Sequence, residues 1–570
     1  MTRALGILVV PGARYSPSNL SAGRKHPLWP GLQGAPPPAV EFRVDSDVTG
    51  SVHPGGVGMD RRSFLKTMSL GAACAAAGVG DDAKGGPVMS ATTDETGSEL
   101  GYKHRIGFGA WANDMRNSAL PLQQWPAPQF DEKTVEGLTQ VLEVIGDAGY
   151  GYLDTFGLYG TNDYPVDIVS AFGDRERNRR LDRVFREAAK RGIRMSLPLG
   201  LLTWGWDTII REDPEVRGKD GDGNPHPHAM CGAKEKSWAY IEKLIDTMFE
   251  RRDFGAVHME SADLGYCMCP ECSGKDGPVG YNARVNTRAG DYIKSQHPDA
   301  LVYVCPINWV PWGLNADGVQ IKVSADDMPH IVELSRHIDV FMDQGHRGRM
   351  IDWSQVGRLR CDYGTSGGLW VYHGARQDRL SYFLPYPVRA ARHLRDHYEH
   401  GARACLYYQG PMANPAVEVT SAVAGRVMRD PSAEPMGVLE DVVEHYYRPR
   451  TTDACQALAQ VFAEAEEAYF GQWDEARFKE VHKAEMPGEF TLGVLFGIQP
   501  DPAAFLTEPF LDAAGRAACK AGLISALGHL TALDGQFEDC GRVERMTHCL
   551  TIMLHLLATV MLAKGEGWSS

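Results

Sequence analysis

The 570-residue chain lacks an excess of basic residues and lacks a long uninterrupted apolar run. Its formal net charge is −15, and a field of that sign repels phosphates and anionic lipids. We therefore expect no nucleic-acid partner bound through bulk charge. The most apolar late segment, 551–563, is shorter than the ~20 residues of a membrane span and contains His555. It predicts a buried helix, with no membrane contact beyond export.

The composition excludes a disordered chain and a lone small binding module. Hydrophobic residues make up 43% and charged residues 23%, with 12 Trp, 21 Tyr and 19 Phe. This balance is typical of a folded chain with ample core material. The length predicts one large domain plus a smaller one.

The first eighty residues have the pattern of an export signal. Residues 1–58 are rich in Gly, Pro and Ser without any period, and predict a disordered upstream extension ahead of a start at Met59. Arg61-Arg62-Ser63-Phe64-Leu65-Lys66 and a weakly apolar run then predict a twin-arginine signal over 59–80, followed by a linker over 81–103. A chance Arg-Arg pair before a short helix is the alternative. We expect a periplasmic or secreted protein. A lipid anchor stays a minor alternative, because Leu70 lies one position too early for a lipoprotein box.

From residue 104 onward, short β-favouring runs alternate with amphipathic helical stretches. This cadence is typical of a parallel sheet with crossover helices, and no Gly-x-Gly-x-x-Gly turn follows a strand as an open dinucleotide-binding sheet would require. The eight predicted strands are 105–111, 152–156, 194–199, 256–260, 301–306, 339–343, 369–373 and 404–408. They predict an α/β fold, a (β/α)8 TIM barrel over 104–430.

Beyond residue 430 the pattern is helical throughout. Amphipathic runs cover 436–447, 452–470, 510–527 and 542–563. They predict a C-terminal α-helical domain over 431–570, packed beside the barrel.

Active sites of such barrels lie at the carboxyl ends of the strands, and here those ends are rich in polar and aromatic residues. Aromatic rings stack on sugar faces, while acids and amides bond hydroxyl groups. A carbohydrate substrate is therefore expected, although the Trp residues could instead plug the barrel mouth. The predicted substrate-binding residues are Trp111, Asp154, Trp204, Trp206, Trp309, His373, Arg376 and Tyr408.

Glu260, at the end of the fourth predicted strand, is the predicted catalytic acid. Hydrolysis of a glycosidic bond needs one carboxyl group near the leaving oxygen and a second one as nucleophile or base. Asp343, at the end of the sixth predicted strand, is the first choice for the second group, and Asp263 and Asp154 compete with it. The alternative for Asp343 is a structural carboxylate bonded to a nearby arginine.

Three of the twelve cysteines, Cys267, Cys269 and Cys272, fall within six residues just after Glu260. With Cys231, His226 or His228 as a fourth ligand, their spacing predicts a closed structural zinc site. Disulfide bonds and free thiols are the alternatives. No cofactor for catalysis is expected.

The segment Val257–Cys272 (VHMESADLGYCMCPEC) resembles the strand-four region of bacterial carbohydrate-active barrels related to α-glucuronidases and β-hexosaminidases. The resemblance implies a glycoside hydrolase in which Glu260 is the acid. The adjacent Asp-Glu pair of hexosaminidases is absent, because His258-Met259 precede the glutamate. Arginines near strand ends, such as Arg376, suit a uronic-acid carboxylate. A non-catalytic carbohydrate-binding barrel and a polysaccharide lyase with His373 or Tyr408 as base remain alternatives.

Overall fold

The computed structural model describes residues 101–109, 130–155, 163–274, 276–306, 309–310, 323–342, 353–368, 382–471, 506–508 and 511–568. Its contacts divide the chain into two units, Met1–Gly55 and Gly56–Ser570, and every described residue belongs to the second. The predicted signal segment, Trp111, Asp343, His373 and Arg376 lie outside the described residues.

Eight parallel strands close into a barrel, which confirms the predicted fold class. The strands around the barrel are β1 (His104–Phe108), β2 (Tyr152–Asp154), β3 (Arg194–Gly200), β6 (Phe254–Glu260), β7 (Leu301–Val304), β8 (Val340–Met342), β9 (Asp362–Gly367) and β10 (Ala402–Tyr408). The antiparallel strands β4 (Arg217–Lys219) and β5 (Pro225–Met230) form a hairpin between β3 and β6.

The strand register brings several of the predicted site residues to one end of the barrel. Phe108 pairs with Asp154 on one side and with Tyr408 on the other, and Gly200 pairs with Glu260. Because all eight strands run in the same direction, these last residues lie on the same rim. Backbone pairing between the strands therefore determines which residues form this rim.

Fourteen α-helices are present among the described residues. They are α1 (Glu132–Ala148), α2 (Arg175–Lys190), α3 (Asp207–Glu212), α4 (Glu235–Arg251), α5 (Pro270–Ser273), α6 (Gly277–Gln296), α7 (Met328–Leu334), α8 (Trp353–Val356), α9 (Pro387–Glu399), α10 (Pro415–Arg429), α11 (Pro435–Tyr447), α12 (Thr452–Phe470), α13 (Ala513–Ala532) and α14 (Cys540–Ala563). Side-chain caps start several of them; Asp131, for example, accepts from the Thr134 backbone N–H at 2.8 Å.

The predicted position of the seventh barrel strand was wrong. The strand is Asp362–Gly367, and the segment 369–373 that the sequence favoured lies outside the described residues. Two glycines in the true strand weaken its β signal. The close packing at position 364 favours glycine, because a Cβ there would lie 2.4 Å from the Met342 sulfur and 3.1 Å from the Ala404 Cβ.

The C-terminal helices are fixed to the barrel by buried polar contacts. Glu466 on α12 accepts from the backbone N–H groups of Val388 and Arg389, at 2.8 and 3.0 Å, at the start of α9. Arg542 on α14 donates to the Glu418 carboxylate on α10, at 2.9 to 3.2 Å. These contacts join the helical region to two helices of the barrel layer.

Helix α14 is long and apolar enough to cross a membrane by length and composition alone. In the structure, 44% of its most apolar window is buried inside the protein. Met546, Leu550, Met553 and Leu557 form its buried face. These residues recur at helical spacing, which is typical of a helix packed along one side.

Candidate active site

Glu260 is the last residue of β6 and lies at the carboxyl-end rim of the barrel. Its side chain is almost completely buried, with 6% of the residue exposed. Its backbone carbonyl accepts from the Leu201 N–H at 2.7 Å, which ties the strand end to the segment after β3. The predicted catalytic glutamate therefore occupies a rigid position at the rim where barrel enzymes place their chemistry.

A buried polar chain runs inward from Glu260 across the barrel. His258, two residues earlier on the same strand, faces the same side because strand side chains alternate. Its Nε2 lies 3.3 Å from Oε1 of Glu260, and its Nδ1 lies 2.7 Å from Oδ2 of Asp154. Nδ1 donates to the Asp154 carboxylate, and Nε2 contacts Glu260 at ion-pair distance. The histidine thus links the two acidic residues.

Tyr303 completes the inner end of this chain. Its hydroxyl donates to Oδ2 of Asp154 and lies 3.0 Å from Oγ of Ser196. Its ring stacks on His258, with centroids 4.9 Å apart and planes inclined by 18°. Phe108 meets the same imidazole edge-on at 5.7 Å. The imidazole plane is therefore fixed by packing as well as by hydrogen bonds.

The surroundings of His258 favour its protonated form. Burial disfavours the charged ring, but Cys305 and the Asp154 carboxylate beside it outweigh that effect and hold the pKa of His258 well above its ordinary value. Burial and the same aspartate raise the pKa of the Tyr303 hydroxyl, so it remains a donor. The ring therefore lies between Asp154 and Glu260, shielded from solvent.

The structure gives Asp154 a supporting position rather than the sugar-contacting or second-carboxylate position considered from the sequence. The residue is fully buried, and its Oδ2 accepts from both His258 and Tyr303. Asp263 lies three residues beyond Glu260 on the rim loop and is half-buried. Asp343 follows directly after β8, outside the described residues.

The aromatic residues predicted to stack on a sugar are largely packed into the rim. Trp206 is 0% exposed, and its indole Nε1 donates to the Gly200 carbonyl at 2.6 Å. Trp204 lies flat on Gly200, where a Cβ would come within 2.2 to 2.6 Å of the indole. Trp309 is also buried, and Tyr408 packs edge-on against Phe108 at 5.1 Å. Trp206 and Trp309 are thus buried in this structure, and a role for them in sugar binding stays a prediction.

Four cysteine sulfurs converge beside the rim loop. Sγ of Cys231 lies 3.8 Å from Sγ of Cys269 and 3.6 Å from Sγ of Cys272, and the ligand atoms of these residues and Cys267 all lie within 4.8 Å of one another. Hydrogen bonds from the Cys231 and Cys272 thiols lower the pKa of the Cys267 thiol. The structure therefore selects Cys231 as the fourth member of the set, and the cluster can hold a metal ion.

The two histidines considered as alternative ligands have other partners. Nδ1 of His226 accepts from the backbone N–H groups of His228 and Ala229, at 3.1 and 2.9 Å. Nδ1 of His228 lies 3.0 Å from Oδ1 of Asp207. These bonds shape the hairpin and leave the cysteines as the metal-binding set.

A second group of three possible ligand residues, His258, Glu260 and Cys305, lies within the polar chain itself. The imidazole there already lies between two carboxylates at hydrogen-bond or near hydrogen-bond distance. The hydrogen bond to Asp154 and the contact with Glu260 thus account for the position of the imidazole.

A cavity of about 700 Å³ lies at the opposite end of the barrel. His104, Tyr152, Leu301 and Asp362, the first residues of four barrel strands, line it. Residues at the amino-end face of such barrels serve stability rather than catalysis. The cavity therefore does not compete with Glu260 as the centre of chemistry.

Sequence reasoning missed His258, Tyr303 and Ser196. One signal was present: His258 stands two positions before Glu260, so in any strand the two share a face. The partners on other strands depend on register and on the closure of the barrel, which no local pattern reveals.

Comparison with known proteins supports the fold. A scan against models of protein families finds no match, and a search of curated proteins finds no relative. Among solved structures, the chain is similar to a family 138 glycoside hydrolase that targets pectin rhamnogalacturonan II, with a TM-score of 0.50 and 8% identity over 80% of this chain. The match spans 57% of that protein's length.

A more distant likeness, at a TM-score of 0.41 and 13% identity, is to a mutant of the Thermobaculum terrenum O-GlcNAc hydrolase. It covers 82% of this chain and 98% of that protein. Only the similarity to the family 138 glycoside hydrolase is close enough to support an argument, and it shows the architecture of the chain. This chain is built on the TIM-barrel fold that the family 138 glycoside hydrolase also adopts.

Proposed function

We propose that the protein is an exported glycoside hydrolase that cleaves a glycosidic bond in a polysaccharide or oligosaccharide. The observation that carries the proposal is Glu260, a nearly buried carboxyl group at the carboxyl-end rim of a closed barrel. It contacts His258, which is hydrogen-bonded to Asp154. A carboxyl group held in this way at this end of the fold fits acid–base chemistry on a sugar. The likeness in fold to a pectin-targeting hydrolase agrees with it.

In the proposed reaction Glu260 supplies one of the two carboxyl groups, as the acid that protonates the leaving oxygen. His258 holds Oε1 and thereby orients the carboxyl plane. Asp343 and Asp263 are the candidates for the second group, the nucleophile or base, since Asp154 is committed to His258 and Tyr303. Uronic-acid-containing glycans are the proposed substrate class, with Arg376 as a partner for the sugar carboxylate.

Export rests on the twin-arginine pattern at Arg61-Arg62, and we propose a periplasmic or secreted location. The reaction itself needs no cofactor. The four-cysteine cluster is proposed to hold a structural metal ion outside the chemistry, since its sulfurs are gathered around one another and none of the four residues belongs to the polar chain.

The test is turnover by the chain lacking its first 80 residues on chromogenic glycosides and uronic-acid oligosaccharides, with a Glu260→Gln variant beside it. We expect product release that the variant loses by about 10²-fold or more, the usual contribution of a positioned acid. Glu271→Gln is the matched control, because Glu271 is exposed on the short helix α5 that follows. Products that absorb in the ultraviolet would show elimination by a lyase, and glycan affinity without turnover would show a binding protein. Either result would overturn the proposal.

A further inference from the structure

The four clustered cysteines come from two parts of the chain that the fold brings together. Cys231 follows strand β5 of the hairpin, whereas Cys267, Cys269 and Cys272 lie on the loop after Glu260. Three of the four are buried and Cys269 is half-buried. A set of four thiols assembled across 41 residues of sequence, with all sulfurs within 4.8 Å of one another, requires an explanation beyond packing.

The spacing of the sulfurs matches a tetrahedral ion. A zinc–sulfur bond of about 2.3 Å implies an edge of about 3.8 Å between sulfurs at the corners of a regular tetrahedron. The separations of the Cys231 sulfur from those of Cys272 and Cys269, 3.6 and 3.8 Å, agree with that edge. A disulfide would bring one pair of sulfurs to about 2.05 Å and would not gather all four around a centre.

The surrounding backbone is shaped to hold a thiolate. The Lys219 N–H donates to Sγ of Cys267 at 3.4 Å, and the Met268 N–H donates to the Lys219 carbonyl at 2.7 Å. Gly218 allows this approach, since a Cβ there would lie 2.9 Å from the Ala229 carbonyl oxygen and 3.0 Å from the Cys267 Cβ. Backbone donors of this kind orient metal-bound sulfurs.

We propose that Cys231, Cys267, Cys269 and Cys272 bind one zinc ion in a closed site that fastens the β4–β5 hairpin to the loop carrying Asp263. Four thiolates are soft ligands that favour zinc over magnesium, calcium or manganese. With four protein ligands the ion has no open position, so its role is structural.

Besides the zinc site, other contacts hold the loop that carries Asp263. Thr203, after β3, accepts from the Leu264 N–H at 3.1 Å and donates to the Gly265 carbonyl at 2.8 Å. The His226 ring of the hairpin packs on Gly265, whose φ of +92° and lack of a Cβ allow the contact. Loss of the ion frees the hairpin and the far end of the loop, and leaves the Thr203 bonds in place beside Glu260. The consequence for catalysis rests on the proposed function; the metal site itself does not.

The first experiment measures zinc by mass spectrometry in the full chain purified without chelator. We expect one zinc ion per chain, lost in the Cys231→Ser/Cys269→Ser double variant and kept in Cys540→Ser, whose cysteine lies at the start of α14, outside the cluster. Zinc-free wild-type protein with alkylatable thiols would overturn the proposal. So would a disulfide among the four cysteines, or zinc retained by the double variant.

A second measurement does not depend on the variants folding. Replacement of the bound ion by Co²⁺ in wild-type protein should give the intense sulfur-to-metal charge-transfer bands of a tetrahedral thiolate site, and their absence would contradict the assignment. Removal of the ion should expose 217–230 and 261–274 to limited proteolysis. Unchanged cleavage would reject the fastening role. Zinc binding without glycoside turnover would refute only the proposed hydrolase. Turnover by wild-type protein that contains no zinc when purified without chelator would refute only the metal site.

Discussion

Nδ1 of His258 lies 2.7 Å from Oδ2 of Asp154, although their strands, β6 and β2, are not neighbours. Strand β3 stands between them, so the bond crosses the barrel interior. Neither side chain can reach solvent, since His258 is 1% and Asp154 0% exposed. A buried ion pair of this kind contributes more to orientation than to net stability. Here it fixes the ring that contacts Glu260.

The first prediction concerns that orienting bond. Asp154→Asn keeps the size of the side chain but removes the charge that holds the imidazolium, and we expect kcat to fall by about 10²-fold through misplacement of the Glu260 carboxyl group. KM should change little, because Asp154 is buried away from the substrate. Steady-state kinetics on the substrate found in the panel measures both constants.

Asp246→Asn is the matched control for Asp154→Asn, since Asp246 bonds Tyr292 on the outer helices at 2.7 Å. Its kcat should equal that of wild type. An Asp154→Asn enzyme with wild-type kcat would show that the His258 ring holds its position without the aspartate.

The second prediction is a pH dependence of stability. The pKa of His258 in the folded protein lies above its ordinary value, so the folded state binds the proton more tightly than the unfolded chain does. The resulting stabilisation is fully present below about pH 6.5, the ordinary histidine pKa, and is lost as the pH rises through the raised pKa. Urea unfolding at a series of pH values from about 6 upward should show the free energy of unfolding decreasing.

The His258→Gln variant isolates this contribution. Glutamine retains a donor for Asp154 but does not titrate, so the variant should lack the part of the slope that the imidazole supplies. His445, exposed and paired with Asp147 at 3.3 Å, provides the control substitution His445→Gln. Equal slopes in wild type and His258→Gln would contradict a raised pKa at this ring.

The parts of the fold that the sequence predicted are those with strong periodic signals. Seven of the eight barrel strands overlap their predicted positions, and the helix Thr452–Phe470 was predicted with its observed bounds. The hairpin β4–β5 was missed because its strands are short, and β5 contains two prolines and two histidines in six residues. A local sequence pattern predicts a segment poorly when the conformation of that segment depends on contacts with residues far away in the chain.

The candidate site, like the fold, could be predicted from the sequence only in part. Glu260 could be placed at the rim from strand order alone, and the convergence of Cys231 with the later three cysteines could be suggested from spacing. The hydrogen bonds of Asp154 could not be predicted, because they depend on how close the closed barrel brings β2 and β7 to β6. For the same reason Trp206 looked available to a sugar, while its indole is in fact bonded to Gly200.

The third prediction tests the close packing around Gly364 in the seventh barrel strand, β9. Gly364→Ala would place a Cβ 3.0 Å from Cγ1 of Val340 and 2.4 Å from the Met342 sulfur. We expect a loss of about 1–3 kcal/mol in the free energy of unfolding, the usual cost of overpacking a core. Gly357→Ala is the control, since among the described residues no neighbouring atom lies within 4 Å of the Cβ that alanine would add there. Chemical denaturation measures the free energy of unfolding of both variants. If Gly364→Ala were as stable as Gly357→Ala, Met342 would move aside without cost.

The fourth prediction concerns the attachment of the C-terminal helices. Glu418 on α10 is 5% exposed and accepts two-pronged hydrogen bonds from Arg542 on α14. Glu418→Ala would leave the arginine partly buried with the Asp539 carboxylate beside it, and removal of one partner from a buried ion pair costs about 3–5 kcal/mol. We expect a loss near the lower end of that range, because the Arg542 side chain is 26% exposed.

Hydrogen exchange should locate this loss in α14 and α10 rather than in the barrel strands. Glu434→Ala is the matched control, since Glu434 is 82% exposed and lies 3.7 Å from Arg395. An exposed pair of that kind contributes about 0–1 kcal/mol, so this variant should unfold almost as wild type does. If Glu418→Ala also unfolded like wild type, the helical region would be held to the barrel by apolar packing alone, and the Glu418–Arg542 pair would have no part in the attachment.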